Sequence, residues 1–148
     1  MQLDKKYRII LIIVLFFALV MVRSFASTLF YDPFIEYFRN DYLYETIPVF
    51  SGSKLLINLF FRYALNSVIS LLIIYVAFQS RNFVLFSIKF YLLAFVVLTV
   101  TFFIILKGEL AHGYLFAFYV RRFIIHPLFV LILLPAFYYK QRTLNIII

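Results

Sequence analysis

Arg62, Asn66 and Ser70 follow Asn58 at four-residue intervals inside LLINLFFRYALNSVISLLIIYVAFQ, Leu55 to Gln79, a stretch otherwise built of Leu, Ile, Phe and Val. Four-residue steps drift slowly around a helix, so these groups form one narrow polar stripe on an apolar cylinder. A buried guanidinium with amide and hydroxyl neighbours suits anion binding or interhelical hydrogen bonding. An arginine at membrane depth costs about 3 kcal/mol or more, so the stripe must face protein, water or an anionic group.

Three other arginines belong to the same chemistry. Arg23 ends the first apolar run, and Arg121 and Arg122 interrupt the last one, five and four residues before His126-Pro127. His112 and His126 are the only histidines and lie fourteen residues apart, without a second ligand one helical turn away. No metal site follows from that spacing. His126-Pro127 reads as a kink with a hydrogen-bonded imidazole, because proline frees a carbonyl. Glu109 with His112, or Ser67 and Ser70 with His126, are the pairs from which acid-base or nucleophilic chemistry could be assembled. Loop capping for the first pair and helix packing for the second fit better, since no small-residue loop offers an oxyanion hole. The zero cysteine count removes thiolate ligands and a cysteine nucleophile. The chain is expected to be noncatalytic and to carry no metal or cofactor.

Composition explains why these few polar groups matter. Of 148 residues 66% are hydrophobic and 22% aromatic, and only 14% are charged; a soluble domain holds about 45 to 50% apolar residues. The formal charge of +8 arises from basic residues scattered singly among apolar runs, which excludes a solvated nucleic-acid surface. With 3 glycines and 4 prolines there is little linker material, so residues 1–148 are expected to form a single domain. The fold class is all-α: a polytopic membrane protein of four transmembrane helices, over about 8–30, 55–79, 83–106 and 114–139.

The elements between the spans are assigned as follows. Lys5, Lys6 and Arg8 precede the first apolar run, as in a signal peptide, but a retained first span is preferred because Arg23 stands just before the small residues Ser24 and Ala26. Asp32-Pro33 opens a short aromatic amphipathic helix in the first outer loop, reaching about Tyr44 and lying on the membrane surface. Gln79 to Asn82 makes a tight turn. Ser87, Tyr91, Ala94, Leu98 and Thr101 mark the packing face of the third span, Lys107 to Gly113 a loop, and Lys140-Gln141-Arg142 a tail.

Basic residues orient the bundle. One side receives Lys5, Lys6, Arg8, Arg81, Lys140 and Arg142, the other Arg39, Lys54 and Lys107, which puts both termini in the cytoplasm. Charge-free runs of about 17 residues extend inward from Arg62 and Arg122, so Arg23, Arg62, Arg121 and Arg122 are expected at one level near the outer interface. Asp32, Glu36, Asp41 and Glu45 of the outer loop are the expected partners of that cluster.

The motif LFYDPFIEYF, the sequence RYALNSVISLLII and the sum of four hydrophobic segments resemble the exosortase F system-associated membrane proteins of flavobacteria and relatives, part of the Bacteroidetes. The resemblance implies a small bacterial inner-membrane protein that accompanies an exosortase, a multispanning enzyme that sorts exported proteins with a cysteine, an arginine and a histidine. Lacking cysteine, this chain is expected to be an accessory or structural subunit of a larger membrane complex, in contact with membrane lipids and not with nucleic acid. The alternative is a lipid- or anionic-substrate-binding protein that uses the outer arginine cluster.

Overall fold

The computed structural model describes residues 3–29, 52–107, 114–126 and 128–147. Among them everything is helical except Leu3, Asp4, Gln79, Ser80 and His126. The helices are α1, Lys5–Leu29; α2, Gly52–Phe78; α3, Arg81–Lys107; α4, Tyr114–Ile125; and α5, Leu128–Ile147. α1, α2 and α3 are long and apolar enough to cross a membrane, and α4 with α5 supplies a fourth candidate if the bent pair counts as one span. The expected amphipathic helix after Asp32-Pro33 and the loop residues Glu109 and His112 lie outside the described residues.

α2 is the hub, packing against each of the other four helices, whereas α1 lies mainly along α2. Within the most apolar window of each, 56% of α2 but only 6% of α1 is buried. Leu55, Leu59, Arg62, Asn66, Ser70 and Ile73 follow one another at three- and four-residue steps on the covered side of α2, so the polar stripe is continuous with an apolar seam. Without a hydrophobic drive between helices in lipid, such a seam is held by close packing and interhelical hydrogen bonds. Tyr63 supplies one, its hydroxyl donating over 2.7 Å to the Tyr91 carbonyl of α3. Its ring also packs 4.9 Å from Phe95.

The turn between α2 and α3 is shorter than the four polar residues expected. Only Gln79 and Ser80 leave the helices, with Gln79 at φ 50° and its amide bonded to the Tyr75 carbonyl. A left-handed residue that closes the last helical turn in this way ends a helix abruptly and lets the next begin at once. The two helices therefore run antiparallel, and Phe78 meets Phe83 across the turn at 5.5 Å. Phe83 stacks on Phe137 of α5, with centroids 4.7 Å apart and planes at 13°.

The kink expected at His126-Pro127 is present: α4 and α5 meet there at a 67° bend. One expectation needs correction. Lys140-Gln141-Arg142 is not a tail, since α5 continues to Ile147. Nothing in that segment breaks a helix, and only its polarity suggested an end.

Candidate functional site: a basic pocket at a broken helix

α4 stops at Ile125 because the chain reaches Pro127, which has no amide hydrogen to continue the ladder. The terminal carbonyls of α4 then need other donors. Asn66, from the stripe on α2, donates its side-chain amide to the Ile125 carbonyl over 3.1 Å in the buried interior. One turn farther along α2, the Ser70 hydroxyl donates over 2.7 Å to the Asn66 carbonyl. Such a bond to the carbonyl one turn back is the common way a helical serine satisfies its hydroxyl. His126 itself forms the corner: its amide bonds to the Arg122 carbonyl at 3.0 Å, and its carbonyl accepts from the Leu128 amide at 2.8 Å.

Four arginines surround this corner. Arg23 of α1, Arg62 of α2 and both Arg121 and Arg122 of α4 stand within electrostatic reach of His126. Arg62 and Arg121 are buried, whereas Arg23 and Arg122 are exposed. The antiparallel course of α1 and α2 brings residue 23 level with residue 62, and the break brings α4 to the same height. Asn58, the first member of the stripe, turns back on its own helix and donates to the Lys54 carbonyl at 2.8 Å.

A cavity of about 200 Å³ opens beside His126, between α1 and the corner of α4 and α5. Arg23, Arg122 and His126 provide its polar lining, while Phe16, Leu19 and Val130 line an apolar part. Along α1 the cavity spans Phe16 to Arg23, about 10 Å at a helical rise. Leu128 and Leu131 also line it, so the first turn of α5 borders the same space. Helix starts interrupted at membrane depth present amide donors and a positive dipole end to anionic groups. Among the described residues neither Arg23 nor Arg122 makes a hydrogen bond or an ion pair, and the only described acid is Asp4. The expected loop partners Asp32, Glu36, Asp41 and Glu45 lie outside the described residues.

Two contributors escape a reading of the sequence. Tyr63 looks like any aromatic residue of a span, although its place three residues before Asn66 puts it beside the stripe. Arg8 looks like one of several flanking cations, yet its guanidinium donates to the Val76 carbonyl at 3.0 Å and to the Ala77 carbonyl. It thereby caps α2 from 68 residues away. Comparisons with protein-family models, with curated proteins and with solved structures find no match for the chain.

Proposed function

We propose that this chain is a noncatalytic, multi-pass membrane protein that holds the anionic end of an amphiphile in the pocket beside His126. In this account it crosses a bacterial inner membrane four times with both termini in the cytoplasm, which puts the pocket near the outer interface. The observation that carries the proposal is that Arg23, Arg122 and His126 line one cavity whose remaining walls are apolar. Arg23 and Arg122 both line the cavity with no described acid beside them, and an anion between two such cations is favoured. The Phe16, Leu19 and Val130 wall accommodates an apolar chain attached to the charged group.

The resemblance to exosortase-associated proteins supports an accessory role in a larger membrane complex, with the pocket as the place where an anionic amphiphile is held for that complex. The rival occupant is the chain's own outer loop, through Asp32, Glu36, Asp41 or Glu45.

A long-chain alkyl phosphate, compared with a neutral alkyl glycoside of equal chain length, separates these cases in the purified protein. The phosphate is expected to raise the thermal midpoint of the wild type, and to do so far less in Arg23→Gln and Arg122→Gln. Equal shifts from phosphate and glycoside, or undiminished shifts in both variants, would overturn the proposal. If the loop fills the pocket, the alkyl phosphate gives no shift, and exchanging one acid with Arg122 restores an assembly that the single charge reversals lose.

A further inference from the structure

The opposite end of the bundle holds a second amphiphile-shaped site, built on residues that the pocket beside His126 does not use. Along α5, Leu133, Ala136, Phe137, Lys140 and Leu144 recur at three- and four-residue steps or adjoin one another, and so share one side of the helix. That side faces the first turns of α3 across a groove of about 510 Å³. Polar lining comes from three residues only: Ser80 and Asn82 at the start of α3, and Lys140 on α5. Deeper along α3 the wall is Phe83, Phe86 and Phe90. Phe137 closes the opposite side, stacked on Phe83 and edge-on to Phe86 at 5.8 Å.

The volume falls within the range of small-molecule sites, about 300 to 1,000 Å³. Its polarity is graded, with the cation and the amide at one level and four phenyl rings beyond. Lys140 is exposed and makes no ion pair among the described residues. Arg81 opens α3 next to Asn82, and Lys140 is the one charged side chain that lines the groove among the described residues. The amides of the first turn of α3 lack intrahelical acceptors and add to the positive field at the Ser80-Asn82 level.

We propose that this groove binds one anionic phospholipid of the adjacent leaflet, its phosphodiester at Lys140 and Asn82 and one acyl chain along Phe83, Phe86, Phe90 and Phe137. Charge complementarity chooses an anionic over a zwitterionic headgroup, because Lys140 is the one charged side chain among the described residues that line the groove. The rings fix the chain's course, so the site differs from the smooth apolar flanks that α1 and α3 turn to the bilayer. It stands whether or not the pocket beside His126 takes a ligand.

Native mass spectrometry of the full chain released from detergent tests this directly, with dioleoyl phosphatidylglycerol titrated against dioleoyl phosphatidylcholine. One retained phosphatidylglycerol that depends on Lys140 is expected, with phosphatidylcholine held at least several-fold more weakly. Lys140→Ala should lower retention about tenfold, the loss of one charge-assisted contact, and Lys140→Arg should preserve it. Ala136→Phe, which fills the groove without changing charge, should also lower it, while Arg122→Gln at the far end should not. Equal retention of the two lipids overturns the inference, and so does undiminished phosphatidylglycerol retention in both Lys140→Ala and Ala136→Phe, each shown to be helical and monodisperse.

Discussion

Arg8 and Arg122 both stand near helix ends in a chain of membrane-like composition, yet they meet opposite surroundings. Arg8 lies against the last turn of α2 and donates to two backbone carbonyls there. Its charge meets the negative end of a helix dipole, so the chain itself satisfies it. Arg122 stands beside His126 among three other arginines, at a cavity, and bonds to no described side chain or carbonyl. One arginine stabilises the fold. The other adds a positive field that the described fold does not neutralise, which is what a binding residue contributes before its ligand arrives. The donors of Arg8 have acceptors within the fold, whereas those of Arg122 have none among the described residues, and the proposed binding role rests on that difference.

Substitutions can sharpen or break that contrast. The largest effect is expected in the aromatic cluster at the Arg8 end, where Phe137→Ala removes a buried ring from between Phe78, Phe83 and Phe86. A loss of about 3 kcal/mol is expected, measured as reversible unfolding in mixed micelles. Arg8→Gln should cost about 1.5 kcal/mol in the same assay, because hydrogen bonds from a charged donor to the α2 carbonyls disappear. Asn66→Leu, which leaves the Ile125 carbonyl without its donor, should cost about 1 kcal/mol, near the usual value of an interhelical hydrogen bond in lipid. Arg122→Gln should change unfolding by less than about 0.5 kcal/mol, since it removes an exposed cation from a cluster of like charge. If Arg122→Gln proved as destabilising as Arg8→Gln, the two arginines would both be structural and the contrast would fail.

Much of this arrangement is legible in the sequence, but unevenly. Arg62, Asn66 and Ser70 announce the central helix because polar groups in an apolar span have to face protein, and all three are at most 5% exposed. His126-Pro127 announces a break, since proline removes a donor wherever it stands. The 67° angle is not legible, because it depends on which neighbour accepts the redirected helix. Nor is the donor from Asn66 to Ile125, a contact across 59 residues set by how α2 and α4 pack. Arg8 and Lys140 read as ordinary flanking charge. Their surroundings arise only when antiparallel packing brings Arg8 to the end of α2 and Lys140 to the start of α3, and spacing along one chain does not record such encounters. The continuation of α5 through Lys140-Gln141-Arg142 was hidden for a simpler reason: polarity marks where a span leaves lipid, which need not be where the helix ends.

The claim that the basic corner holds an anion is tested most directly by weighing what the protein carries out of its own membranes. Native mass spectrometry after purification in a gentle detergent is expected to find an anionic amphiphile that the wild type and Lys140→Ala retain and that Arg23→Gln and Arg122→Gln lose, separate from any lipid whose retention depends on Lys140. A wild type without such a ligand, or arginine variants that carry as many anionic amphiphiles per chain as the wild type, would contradict the account.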